Sequence, residues 1–204
     1  MSRDAAASTT PAPTADTGVA VAFAHLLAEA RSTLTGWDAP DAVQDRLRED
    51  YLEHLRRHPD GVAKAGPPAH LTASCLVLSP DAGQVLLTHH RRARSWFQFG
   101  GHLEAGDDGL HAAATREARE ESGIATVTPA PVVVQLDRHV LDGDFGNCRE
   151  HLDVRFAAVV GRDASPSTSE ESLGVAWWPT DRLPEGTRAE LTALVTAARR
   201  TLDL

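Results

Sequence analysis

Two cysteines, Cys75 and Cys148, are too few to build a disulfide framework, so a disulfide-stapled secreted scaffold is excluded. Cys75 lies in an apolar run and reads as a buried small hydrophobe. Basic charge is also short: 20 Lys and Arg stand against 29 Asp and Glu, a formal net charge of -9. That balance argues against a general DNA binder or a protein held on an anionic membrane, since both need a basic surface. A small anionic substrate stays open, because a bound cation can reverse the sign locally. No apolar run approaches the ~20 residues of a membrane span. Val19 to Leu27 comes nearest and is interrupted by His25. Met1 to Asp16, rich in Ala, Ser, Thr and Pro, lacks the apolar centre of a signal peptide. The expected compartment is therefore the cytoplasm. There is no internal repeat, and no helix-turn-helix or basic recognition helix stands out.

What is present suits one packed domain with an appendage: 204 residues, 42% hydrophobic and 24% charged. Residues 1–17 read as a disordered tail, with nothing to offset the entropy of ordering them. Residues 18–65 read as a helical hairpin, with helices over Val19–Ala30 and from Pro40 to about Arg57. Asp38 is the expected cap of the second helix, and Val43, Leu47, Tyr51, Leu52 and Leu55 share its apolar face. Residues 66–204 form the main domain. Strands are expected at Leu71–Leu78, Val85–Thr88, Trp96–Phe99, Val132–Leu141, His151–Val160 and Val175–Trp178. A central helix runs from about Asp108 to Ser122 and stops at Gly123, and Thr187 is placed to cap a terminal helix. The fold class is mixed α/β (α+β), a β-sheet sandwiched between helices, with an N-terminal helical hairpin.

The chemistry concentrates in Gly100 to Ile124, GGHLEAGDDGLHAAATREAREESGI. At about 100° per residue, Leu110, Ala113, Ala114, Glu117 and Glu121 fall on one stripe with Glu120 at its edge, while Arg116 and Arg119 point elsewhere. A stripe that starts apolar thus continues into three carboxylates. Acids so close repel by ~4 kcal/mol per pair at ~4 Å and an effective dielectric near ~20. Of the three reliefs, protonation, pairing with bases or a bound cation, only the cation uses all three carboxylates as ligands. Hard oxygen donors suit Mg²⁺, with Mn²⁺ as second choice. Gly100 and Gly101 let the backbone approach closely, and a carbonyl there can supply another ligand. Read alone, REAREES equally describes a solvated helix of Arg–Glu pairs. The paired glycines before it and Gly123 after it favour the metal.

This stretch resembles the Nudix box, written G-x5-E-x7-R-E-U-x-E-E-x-G-U with U aliphatic. Arg116-Glu117-Ala118-Arg119-Glu120-Glu121-Ser122-Gly123-Ile124 matches its second half at every specified position, and Gly101 matches its first glycine. Trp96-Phe97-Gln98-Phe99-Gly100-Gly101 resembles the family's W-x-x-P-G-G, with Phe99 in the proline's place. Trp177-Trp178-Pro179 resembles its closing strand. The gap between Gly101 and Arg116 is one residue too long, and the box's first glutamate is replaced by Asp107 or Asp108, either of which can cap the helix.

The resemblance implies a pyrophosphohydrolase acting on a nucleoside diphosphate linked to another group. Glu117, Glu120, Glu121 and the Gly101 backbone would hold the metal, and Arg116 would orient Glu104 or Glu117 by a bidentate contact. Gly100, Gly101, His102, Glu104, Arg91 and Arg92 are the candidate substrate contacts, the last two from the basic run His89–Arg94. Glu170, Glu171 and Asp153 are candidates for a general base or added ligand. His139, His151 and Asp153 fall on neighbouring strands near the expected cleft, and Trp96 reads as a core or rim residue. Asp142–Asn147 mimics the start of a calcium loop but has glycine in its place for a ligand, and reads as a hairpin turn. A second reading is a Nudix-type ligand sensor without turnover, which a complete metal set disfavours. A third makes the hairpin the working part, as a lid, an interaction module or a homodimer contact.

Overall fold

The computed structural model describes residues 17–141, 146–168, 172–187 and 189–204. The expected tail over 1–17 lies outside these except for Thr17, as do Glu170, Glu171 and most of the expected turn at 142–147. Among the described residues no helix is long and apolar enough to cross a membrane.

The chain opens with three helices, α1 (Thr17–Ala22), α2 (Ala24–Gly36) and α3 (Ala42–Arg57). The cap of α3 is Asp41 rather than Asp38. Asp41 is extended, and its carboxylate accepts from Val43 N and Gln44 N at 2.9 Å each. A helix capped by Asp38 would need Ala39 to be helical, and Pro40 disfavours that conformation in the residue before it. Tyr51 and Leu55 are buried and Leu47 and Leu52 partly so, but Val43 is solvent-facing rather than part of the apolar face.

The sheet is built on β1 (Ala69–Leu78), which runs parallel to β6 (Glu150–Val159) along its whole length. Beyond β6 lies β5 (Gln135–Val140), antiparallel to it. On its other side β1 changes partner midway: Val77 and Leu78 pair with β2 (Gln84–His90), whereas Thr72 to Cys75 pair with β4 (Phe99–His102). Beyond that point β2 pairs with β3 (Ser95–Phe97), and it also carries β7 (Ser172–Pro179). The single strand expected at Trp96–Phe99 is therefore two strands that part at Gln98, one on each branch of a forked sheet. Local sequence gives no hint of this, since the fork is a choice of partner.

Alternation along β1 decides what each face does. Leu71, Ala73, Cys75 and Val77 pack on one face with α4 (Leu110–Ser122), and the N-terminal helices share that core through Leu26, Ala30, Leu34, Tyr51 and Leu55. Cys75 is wholly buried there, and burial pushes its thiol pKa up. On the opposite face, Leu76 and Leu78 lie under α5 (Glu190–Thr201), against Leu191, Leu194 and Val195. Helix α5 begins at Ala189 without a side-chain cap. Thr187, expected to cap it, instead donates to Pro184 O at 2.6 Å. The remaining residues of this face, His70, Thr72 and Ser74, are buried and polar.

The N-terminal helices also finish α4. Neither Asp107 nor Asp108 caps it. Gly109 holds the cap position, and Glu29 of α2 accepts from Leu110 N at 2.9 Å. A carboxylate at a helix N-terminus satisfies an orphan donor and opposes the positive end of the helix dipole. His25 adds a contact of 3.0 Å to Asp107 O.

If α2 belongs to the core in this way, Leu34→Ala should cost about 2–5 kcal/mol, read as a lower urea midpoint with unchanged slope. Glu29→Ala should cost about 1 kcal/mol through the lost cap. An unchanged midpoint for Leu34→Ala would mean the helices are a loose appendage.

Candidate active site

Helix α4 brings three glutamates to the edge of β4. Glu121 is buried, and its Oε2 accepts from Gly100 N at 3.0 Å. Glu117 lies against Gly101 so closely that a Cβ there would sit 2.6 Å from Glu117 Oε1. Glu120 is exposed. A Cβ on Gly100 would instead run into the Ser74 Cβ, with Ser74 Cα at 2.8 Å. The paired glycines thus let β4 touch β1 on one side and the acids of α4 on the other.

Arg116 departs from its expected place. Instead of pointing elsewhere it folds back over the acids, and its bidentate partner is Asp107 rather than Glu104 or Glu117. Arg116 Nε and Nη2 donate to Asp107 at 2.9 and 3.0 Å, Nη2 also to His102 O at 2.9 Å, and Nη1 to Glu117 at 2.9 Å and Glu120 at 3.4 Å. Glu104 is exposed and stands 3.7 Å away. The Asp107 hydrogen bonds raise the guanidinium pKa further, against the effect of burial. Asp107 is buried, with both carboxylate oxygens held by Arg116. It also accepts from Glu104 N at 2.8 Å, which closes the intervening turn. Arg119 does point away, donating to Val127 O at 2.8 Å.

A cleft of about 570 Å³ opens beside these groups on the polar face of the sheet, touching Gly100, Gly101 and Glu121. Its floor is an ion-pair chain. Arg155, buried, meets Asp153 at 3.0 Å and Asp137 at 2.9 Å, and donates to Gln135 at 3.0 Å. Asp153 also accepts from Thr72 at 3.0 Å and Ser74 at 2.7 Å. Tyr51 reaches through from the other face to donate to Asp137 O at 2.6 Å. Its phenol pKa is well above the ordinary value, first through burial and then through Asp153 and Asp137. With both oxygens engaged by donors, Asp153 serves as a structural hub and is a poor general base. His139 and His151 line the cleft with Thr88, His90 and Glu190. Burial, then His139 and His70, depress His151 to about 4.

Of the basic run, Arg92 lines the cleft while Arg91 donates to Ser172 O at 3.3 Å. Trp96 is half-buried against the core under α5, its ring stacked on His89 at 4.9 Å and edge-on to Trp178. His102 is not among the cleft residues, contrary to its expected substrate contact. β4 turns its ring toward His70, His151 and Cys148. Burial first, then His151 and His70, hold its pKa near about 3. Sequence reading passed over the hub of Thr72, Ser74 and Arg155. Its signal is the alternating polar residues His70-Thr72-Ser74 and His151-Asp153-Arg155 on strands that pair in register.

A model of the NUDIX domain matches residues 68–200, which span the sheet, the box helix and α5. The chain belongs to the Nudix family. It is a Nudix hydrolase, of a family that acts on nucleoside diphosphates linked to other groups. Similar solved structures include a Nudix-family hydrolase from Clostridium perfringens, 24% identical over 65% of this chain and 97% of that one, at a TM-score of 0.51. The MutT protein of Methanosarcina mazei Go1 is 20% identical, covering 68% of this chain and 98% of that one, at 0.53. A C. elegans Ap4A hydrolase complex is 17% identical, covering 65% and 97%, at 0.53. These likenesses concern the fold. No curated protein matches the chain significantly. In this Nudix chain α2 and α3 lie before the matched domain, yet they complete its core.

The two glycines should respond differently to a methyl group. Gly100→Ala must separate β4 from the β1 backbone and should cost roughly 1–3 kcal/mol in urea unfolding. Gly101→Ala meets only the movable end of Glu117, so its midpoint should stay near that of the parent. Equal losses in the two variants would contradict this geometry.

Proposed function

We propose that this Nudix hydrolase cleaves a diphosphate linkage in a nucleoside diphosphate derivative, using Mg²⁺ held by Glu117, Glu120 and Glu121. The observation that carries the reading is the pinning of Glu117 and Glu121 against the Gly100–Gly101 backbone beside the cleft. The donor set fits a hard cation. Arg116 has the carboxylates of Glu104, Asp107, Glu117 and Glu120 around it, and one positive charge cannot balance four negative ones. Oxygen ligands, including the Gly101 carbonyl, suit Mg²⁺, and Mn²⁺ should substitute.

Bound there, the metal would neutralise the diphosphate and lower the pKa of the attacking water. The chain's own residues do the rest. Asp107 fixes Arg116, and Arg116 orients Glu117, so the ligand geometry is set before substrate arrives. Arg92 at the cleft wall offers a positive charge to the phosphates. Arg155 is too fully matched by Asp153 and Asp137 to do so, and instead holds the floor rigid. The base is assigned to Glu170 or Glu171, whose carboxylates precede β7. Two free cysteines agree with a reducing, cytoplasmic setting.

Nucleoside triphosphates, nucleotide sugars, dinucleoside polyphosphates and ADP-ribose, each tested with Mg²⁺, should include at least one that yields phosphate-bearing products. Chelation should stop the reaction and added Mg²⁺ restore it. Glu120→Gln or Glu121→Gln should lower kcat by about 100-fold or more with the melting transition intact, as expected when several kcal/mol of transition-state stabilisation depend on the metal. Silence across the panel, with Mg²⁺ bound normally, would overturn the assignment in favour of a ligand sensor.

A further inference from the structure

Outside the glutamate site the chain gathers a second set of donors of different chemistry. His70 begins β1, His102 ends β4, His151 begins β6 and Cys148 stands just before it. One ligand atom from each lies within 4.8 Å of every other. The ring centroids are 5.1 Å apart for His70–His102 and for His102–His151, and 5.4 Å for His70–His151. Cys148 Sγ is 3.8 Å from His102 Nε2. For zinc bonded at ~2.0–2.1 Å to nitrogen and ~2.3 Å to sulfur, a tetrahedron has N···S edges of roughly 3.6 Å. That pair is therefore already near its bonded spacing, and the rest need only close inward.

Two further features point at a ligand. His70 Nδ1 lies 2.9 Å from Pro67 O, and a carbonyl can only accept, so the proton sits on Nδ1 and Nε2 presents its lone pair. That is the support a metal-bound imidazole ordinarily has. Second, His70 Nε2 and His151 Nε2 are buried with no hydrogen-bond partner among the described residues, and His70 is wholly buried. An orphaned buried nitrogen keeps the full penalty of its lost hydration. Two of them in one cluster with a thiol make a costly arrangement for a mere core packing and a normal one for a metal site.

We propose that His70, His102, Cys148 and His151 bind a structural zinc ion. Nitrogen and thiolate donors select zinc over magnesium, and four protein ligands leave no open position for substrate. Binding releases the Cys148 thiol proton to solvent. The ion would tie the starts of β1 and β6 to the end of β4, one residue from Gly101 and on the residue whose carbonyl holds Arg116. It would thereby fix the start of the Nudix box from the face opposite the glutamates. The inference is independent of the glutamate assignment.

Cobalt titration of the metal-stripped full chain tests it. The expected spectrum has strong visible bands of a tetrahedral ion and a thiolate-to-cobalt charge-transfer band, saturating near ~1 equivalent and bleached by an equal amount of Zn²⁺. Cys148→Ser should abolish the charge-transfer band, and the combined Glu117→Gln, Glu120→Gln, Glu121→Gln variant should keep it. Only the weak spectrum of octahedral cobalt in the parent chain would overturn the proposal, whatever the folding of the variants. So would a charge-transfer band that survives in Cys148→Ser.

Discussion

The close approach of α4 to β4 is the constraint on which the candidate site depends. A helix carrying three glutamates can press its acids on a strand only if that strand has no side chain at the contact, and Gly101 supplies this, while Gly100 lets the same strand close on β1. The approach also brings the Gly100 N–H within 3.0 Å of Glu121, so the backbone itself holds one acid. Arg116 then spans the remaining acids, and Asp107 spans Arg116. Glu121 and Glu117 are each fixed by the group before them, while Glu120 stays exposed at the edge. That order is what a metal ligand set needs before the metal arrives.

The same logic of faces explains how one sheet carries both a core and a cleft. β1 alternates strictly, so its apolar positions on one side can be covered completely while its other side changes character midway. Leu76 and Leu78 need α5. Thr72 and Ser74 do not, because Asp153 accepts from both of them within the sheet. A buried pair such as Arg155–Asp153 adds little net stability beside an apolar equivalent. Its value is that it makes a rigid polar floor with no spare charge to trap the phosphates of a substrate.

What the sequence disclosed follows the range of the interactions. The box glutamates, the Gly123 stop and the strands at β1, β2, β5, β6 and β7 are visible because periodicity and local caps determine them. The fork at Gln98 was not, because the two halves of one extended run differ only in which strand each pairs with. The choice between Asp107 and Asp108 could not be made from spacing. It is settled by which carboxylate meets Arg116, nine residues along the chain. The cap of α4 was missed for a stronger reason: Glu29 is 81 residues away. His102 follows the glycines and shares the polar face of His70, Thr72 and Ser74, but it ends β4, where its ring meets His70, His151 and Cys148 rather than the cleft.

The two donor sets meet β4 at adjacent residues, Gly101 and His102, and their separation is a matter of both chemistry and geometry. Gly101 faces the carboxylates of α4, and His102 faces imidazoles and a thiol. The pleat of one strand thus directs hard oxygen donors to one side and softer nitrogen and sulfur donors to the other. A cation that prefers the second set gains little from the first, where the donors are carboxylates suited to a strongly hydrated ion. Arg116 links the two, since its Nη2 binds the His102 carbonyl while its Nη1 binds Glu117. Any shift of β4 caused by loss of the histidine–cysteine cluster would therefore be passed to the glutamate site through this guanidinium, as well as through the Gly100 and Gly101 contacts with Glu121 and Glu117.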